Sequence, residues 1–157
     1  MINNIFNELS SVIDTRDLVV TREIEILQTL IFHYSLLQQL FQNLIKNSPK
    51  FSKGNKNSIF IRCETIAYDY LKFSVKDIGF GIPKPMLPKV FDIFAKYHRE
   101  ENPDIAGSGI GLATCKRIVD FMGGTISVQS IENVETAFTF TIKVRPNGNN
   151  TFEVLSD

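Results

Sequence analysis

The stretch from Ala106 to Gly124, AGSGIGLATCKRIVDFMGG, governs how the rest of the chain is read. Gly107, Gly109 and Gly111 alternate with Ser108 and Ile110, and an amphipathic pattern starts directly after them with no polar loop between. Glycine admits positive φ and lets another group approach the main chain closely. The helix that follows offers unpaired N–H groups and the positive end of its dipole, where phosphate is held well. Ile110, Ala113, Ile118, Val119 and Met122 are spaced to form one buried helical stripe, with Lys116 and Arg117 beside it and Gly123 placed to stop the helix. The Gly-x-Gly-x-Gly spacing is neither a dinucleotide turn nor a phosphate loop ending in Gly-Lys-Ser/Thr. A glycine-rich turn ahead of a core helix, without any ligand, satisfies the same pattern.

Working outward, the most regular helix is expected over Tyr34 to Asn47, where Leu36, Leu37, Leu40, Phe41, Leu44 and Ile45 form a wide apolar face. Asn43 and Asn47 lie four apart, so their amides project from one side, and Lys50 and Phe51 follow. Asparagine is a middling helix former. Its repetition fits a solvated helix face, or neutral carbonyl oxygens suited to a magnesium ion that already carries nucleotide phosphates. Before this helix, Asn4 to Ile13 reads as a short helix with Asn3 or Asn4 as its N-cap. Leu18 to Leu27 reads as a strand, and Leu30 to Phe32 as another short one. After it, Ser58 to Ala67 and Tyr70 to Val75 form a hairpin with Asp69 at the turn, Ile59, Ile61 and Cys63 on one face of the first strand and Leu71, Phe73 and Val75 on that of the second. The second strand runs into Lys76-Asp77-Ile78-Gly79-Phe80-Gly81-Ile82-Pro83. A buried carboxylate at Asp77 could accept a hydrogen bond from an exocyclic amine while the glycines let a base come close; a plain Asp-x-Gly turn gives the same letters.

Composition narrows the function classes. A chain of 157 residues buries a core without metal or disulfides. Lys+Arg and Asp+Glu are both 17, so the net charge of zero implies no polyanion-binding surface, and nucleic acid is not an expected partner. Cys63 and Cys115 match no metal-ligand spacing and fit core-facing reduced thiols, hence a cytoplasmic location. No apolar run reaches the ~18 residues that span a bilayer, so direct membrane insertion is not expected. A polar tail, residues 146–157, follows a domain expected over 1–145.

In chain order, LLQQLFQNLIKNSPKF, VKDIGFGIP, VFDIFAKYH and GSGIGLATCKRIVDFMGG resemble the asparagine box, first glycine box, phenylalanine box and second glycine box of the catalytic ATP-binding domain of sensor histidine kinases. The resemblance covers nearly the whole chain, from roughly Asn3 to Val144. It implies an α/β two-layer sandwich, shared with gyrase, mismatch-repair and heat-shock chaperone ATPases, in which a mixed sheet carries helices on one face and ATP lies between them. Residue by residue, Asn47 is similar to the magnesium ligand and Asn43 to the second asparagine on metal or phosphate. Lys50 matches a phosphate-facing lysine, and Phe51 an aromatic against the adenine. Asp77 resembles the carboxylate that reads the adenine amine, with Gly79, Gly81 and Ile82 shaping that wall. Gly107, Ser108, Gly109, Ile110, Gly111 and Leu112 resemble the hinge and helix start under the phosphates. The charged run Lys96-Tyr97-His98-Arg99-Glu100-Glu101 is similar to a mobile lid from which Lys96 or Arg99 reaches the phosphates, or is simply a solvated loop.

The resemblance implies ATP and Mg2+ as cofactors, a histidine-bearing dimerisation domain as phosphoacceptor and a response regulator downstream. In ATP-hydrolysing relatives the residue one turn before the metal asparagine is a glutamate; here it is Asn43, whose amide cannot take a proton from water at neutral pH. ATP is thereby saved for a protein nucleophile. The departures are Pro49, expected to disfavour helical geometry at Ser48 and displace Lys50 and Phe51, and Ile78 in place of a polar residue, usually asparagine. The only histidines, His33 and His98, both fall inside the ATP-binding domain itself. Two other readings stay open: a nucleotide-binding module that transfers nothing, favoured by Pro49 and Ile78, and a serine kinase of the anti-sigma-factor type.

Overall fold

The computed structural model describes residues 2–10, 13, 18–26, 30–48, 57–95 and 109–146. Along the chain come α1 (Ile2–Glu8), β1 (Leu18–Glu25), β2 (Leu30–Ile31), α2 (Tyr34–Asn47), β3 (Asn57–Ala67), β4 (Tyr70–Ile78), a 3-10 helix (Lys84–Lys89), α3 (Gly111–Phe121), β5 (Ile126–Ile131), β6 (Glu135–Lys143) and β7 (Arg145–Pro146). Five strands form one mixed sheet in the order β1-β3-β4-β6-β5. β1 runs parallel to β3, and the other pairings are antiparallel. β2 and β7 make a separate antiparallel pair.

Strand alternation builds the core. Leu71, Phe73 and Val75 on β4 and Phe138, Phe140 and Ile142 on β6 all point to the helix side and are buried, as are Ile59, Ile61 and Cys63 on β3. Phe73 stacks on Phe140 at 4.9 Å, and Phe41 of α2 packs edge-on against both, at 5.5 and 5.8 Å. Phe6 of α1 meets Phe41 at 5.0 Å. Full burial of each such ring contributes roughly 1.5–3 kcal/mol, so this aromatic cluster is what fixes α2 over the centre of the sheet. α3 lies beside α2 and buries Ala113, Cys115, Ile118 and Val119. The result is the expected α/β two-layer sandwich with helices on one face.

Several boundaries differ from the sequence expectation. α2 has the expected bounds, but α1 starts at Ile2, so Asn3 and Asn4 lie within it; helical bonding continues from Leu9 N–H to Ile5 and from Ile13 N–H to Leu9. β1 stops at Glu25, and Leu27 lies outside the described residues. β4 runs three residues past Val75, because Lys76, Asp77 and Ile78 still pair with Ala137, Thr136 and Glu135. Ile110 is 46% exposed and is not part of the buried stripe of α3, where Cys115 takes a place instead. Gly123 stops that helix as expected, with Gly123 N–H on Asp120 and Gly124 N–H on Val119.

Candidate nucleotide site

Asp77 owes its position to parity. It continues the inward series Leu71, Phe73, Val75 on β4, so the pleat that buries those side chains buries a carboxylate, 4% exposed, with Ile59 and Thr136 as its cross-strand partners. Ser48, buried at the end of α2, hydrogen-bonds to the carboxyl through its hydroxyl. The other side of the carboxylate is unserved: Oδ1 is buried with no hydrogen-bond partner among the described residues. Burial pushes the Asp77 pKa up to about 7; the Ser48 hydrogen bond pulls it down, and the charge of Glu135 pushes it further up. An unsatisfied buried acceptor costs about 1–3 kcal/mol, which a donor arriving from a ligand would recover.

The loop after β4 is stitched to the β5–β6 turn. Gly79 N–H donates to Val134 O at 3.1 Å, Asn133 N–H donates to Phe80 O at 2.6 Å, and Ile82 N–H donates to Ser130 Oγ at 2.8 Å. Gly81 has φ +63°, and a Cβ there would run into the Ile131 carbonyl. Glycine is required at that corner by the crossing chain itself, before any ligand is considered. Ile78, the departure from the polar residue expected there, is 40% exposed.

Opposite this wall, Asn43 and Asn47 are half-buried on α2. They face the first residue of α3: a Cβ on Gly111 would lie 3.8 Å from Asn47 Nδ2 and 4.0 Å from Asn43 Oδ1. The Cys115 thiol donates to Leu40 O at 3.9 Å; burial pushes its pKa up to about 12, with Asn43 acting in the opposite sense. The turn before α3 is fastened to Phe94. Gly109 has φ +72°, its absent Cβ would come within 2.8 Å of Phe94 Cα, and Phe94 N–H donates to Gly109 O at 2.9 Å. Ile110 gives α3 no side-chain cap, and Leu112 packs against the core.

Asp77, Gly79, Gly81, Ile82, Asn43, Asn47, Gly109, Ile110, Gly111 and Leu112 are thus described, whereas Lys50, Phe51, Lys96, Arg99, Gly107 and Ser108 lie outside the described residues, as do Pro49 and His98. Pro49 is expected to disfavour helical geometry at Ser48, and Ser48 is helical nonetheless. Ser48 keeps φ −53° and ψ −49°, with its N–H on Leu44 O, and its buried hydroxyl lies within reach of both Leu44 O, at 3.4 Å, and the Asp77 carboxyl. Two buried polar residues went unread in the sequence, Ser48 and Thr136, the latter bonded to Ser130 Oγ at 2.9 Å. Both carried a signal: Ser48 continues the apolar stripe Phe41, Leu44, and Thr136 shares parity with Phe138 and Phe140.

A mixed sheet with helices on one face and a glycine-cornered turn ahead of α3 places the chain among the nucleotide-binding α/β sandwiches. The family model described as histidine kinase-, DNA gyrase B-, and HSP90-like ATPase matches residues 33–146, and the chain belongs to that family. Its relatives include cyanobacterial phytochrome A of Nostoc sp., 40% identical over 108 residues (69% of this chain, 14% of the relative). The sensor protein kinase WalK of Staphylococcus saprophyticus is 34% identical over 106 residues (68% and 17%), and the sensor histidine kinase RcsC of Salmonella typhimurium 35% over 106 residues (68% and 11%). The chain therefore spans less than a fifth of the length of these relatives and corresponds to their catalytic ATP-binding domain. Among solved structures, full-length ShkA in complex with AMPPNP superposes with TM-score 0.78 at 20% identity, covering 96% of this chain and 32% of that one. The mycobacterial sensor histidine kinase MprB superposes with TM-score 0.73 at 24% identity, covering 91% and 95%. No helix of the described residues is long and apolar enough to cross a membrane.

Proposed function

We propose that this chain binds Mg-ATP between α2 and the Asp77 loop and donates the γ-phosphoryl group to a histidine on a dimerisation domain, from which a response regulator would take it. The observation that carries this reading is the Oδ1 of Asp77, buried and unpartnered among the described residues. It is an acceptor lacking a donor, of the kind the exocyclic amine of adenine supplies, and guanine presents a carbonyl at the corresponding place. The AMPPNP complex of ShkA supports the same reading by likeness of fold.

Asn43 and Asn47 would hold the divalent cation, and the N-terminal end of α3 would receive the phosphates, with Lys50, Lys96 and Arg99 adding positive charge. Bound magnesium would supply charge neutralisation for the transferring group. The chain's own contribution is positioning: Asp77 and the Gly79–Gly81 corner orient the base, and the Gly111 gap leaves room for phosphate beside the two amides. Because Asn43 is an amide, it cannot activate water, so hydrolysis stays slow while an imidazole, needing little activation, can attack. A cytoplasmic location fits the buried reduced thiols Cys63 and Cys115.

Titration calorimetry with Mg-ATP tests the assignment. Asp77→Asn keeps the shape but turns an acceptor-only group into one that also donates, and should weaken ATP binding by roughly 1–3 kcal/mol. Unchanged affinity in that variant would remove Asp77 from the site.

A further inference from the structure

Ser48 occupies a position with two possible hydrogen-bonding allegiances. It is 3% exposed, its hydroxyl lies 3.4 Å from Leu44 O within its own helix, and it also hydrogen-bonds to the Asp77 carboxyl across the gap between α2 and β4. A hydroxyl has one proton to give. Given to Leu44, it would leave the carboxylate with no donor from α2; given to Asp77, it serves one carboxylate oxygen and leaves Oδ1 unmet. The residue is held in helical geometry at the last turn of α2 although a proline follows it, so its placement is fixed by packing and bonding around the side chain.

We propose that Ser48 is a positioning residue for adenine: its hydroxyl clamps one oxygen of Asp77, so that the carboxylate meets the base with a single, oriented, ionised acceptor. This rests on the nucleotide reading above and adds to it a residue that touches the carboxylate rather than the ligand. The surroundings of Asp77 make the clamp consequential. Glu135 on β6 acts on the carboxyl with like charge and is itself held by Lys76 of β4 at 2.6 Å; Ile59 on β3 and Thr136 on β6 bring no charge. Among the described residues the Ser48 hydrogen bond is what favours the ionised form of Asp77. Without Ser48 the group should hold its proton to higher pH, and a protonated carboxyl is the poorer acceptor for an amine.

The test is the pH profile of binding, measured by calorimetry with ATP and with adenosine on the whole chain from pH 6 to 9. In the wild type both ligands should bind more tightly as pH rises. Ser48→Ala should weaken both by a similar factor, about tenfold near pH 7, with the loss shrinking toward pH 9 and the midpoint moved upward. Ser48→Thr, which retains the hydroxyl, should restore the wild-type profile. In an Asp77→Asn background Ser48→Ala should add nothing. A Ser48→Ala profile parallel to the wild type at all pH values, or an undiminished effect without the Asp77 carboxylate, would overturn the inference. If the wild type binds no nucleotide, the function proposed above fails first, and the two failures are told apart by that control.

Discussion

A carboxylate at an inward strand position should weaken the empty domain, and its removal should show how much. Asp77 has its pKa raised from 3.8 to about 7 in the folded chain, chiefly by burial. Between those two values the native state carries a proton that the unfolded state has released. Stability therefore falls as pH rises from about 4 to about 7, and the loss is complete above that window. At about 1.4 kcal/mol for each tenfold change in proton affinity, the rise from 3.8 to about 7 corresponds to about 4 kcal/mol as an upper figure. Relaxation and water penetration should lower it to about 2–4 kcal/mol. Asp77→Asn abolishes the titration but replaces one carboxylate oxygen by an amide NH2, whose burial is an offset of about 1–3 kcal/mol that does not vary with pH. The informative quantity is thus the change in the difference between variant and wild type: Asp77→Asn should gain about 2–4 kcal/mol relative to the wild type between pH 4 and pH 8. The chain has no tryptophan, so urea unfolding is best followed by circular dichroism. Stability curves that stay parallel across this range would refute the buried, ionisable Asp77 on which the site rests.

Two further outcomes follow from the phosphate side. Gly111→Ala places a methyl at van der Waals distance from both asparagine amides, so the fold should tolerate it or gain up to about 1 kcal/mol in helix propensity, while ATP binding weakens more than adenosine binding; equal losses for both ligands would contradict the placement of phosphate at that gap. Pro49→Ala should lengthen α2 and tighten ATP more than adenosine by bringing Lys50 toward the phosphates, and a matching effect on the two ligands in calorimetry would argue against it.

What the sequence made legible was whatever depends on local periodicity. Tyr34–Asn47 was read with its bounds intact because Leu37, Leu40, Phe41, Leu44 and Ile45 repeat at helical spacing, and every one of them is buried. The hairpin faces of β3 and β4 followed from alternation in the same way. β5 and β6 were not read at all, although Thr136, Phe138, Phe140 and Ile142 alternate as cleanly as β4 does. β4 runs past Val75 because the hairpin pairs Lys76 and Asp77 with Phe60 and Ile59, and because Asp77 and Ile78 also pair with Thr136 and Glu135 of β6, a partner far along the chain that no local pattern encodes. The same long-range pairing makes Asp77 a strand residue rather than a turn residue and accounts for its burial. Ser48 was obscured by the proline after it: local rules place a pre-proline residue outside the helix, and a contact with another strand overrides them. Gly81 and Gly109 were legible as special positions, but their immediate reason, close crossing by Ile131 and Phe94, belongs to the tertiary structure.

The most direct measurement for the account as a whole is phosphoryl transfer from γ-labelled ATP with magnesium, using the purified chain alone, the chain with a histidine-bearing helical bundle, and the chain carrying His98→Ala. His33 caps the N-terminal end of α2, in ring contact with Phe121 of α3 at 5.6 Å; the ten residue steps of helix between it and Asn43 put it about 15 Å away along the axis, and an in-line attack needs the nucleophile at about 3–3.5 Å from phosphorus. The expected result is nucleotide binding without label on the isolated chain, and acid-labile label on the bundle when both are present. Acid-labile label on the chain itself, lost in His98→Ala, would contradict transfer to a separate domain, and acid-stable label on an added partner would point to a serine kinase instead.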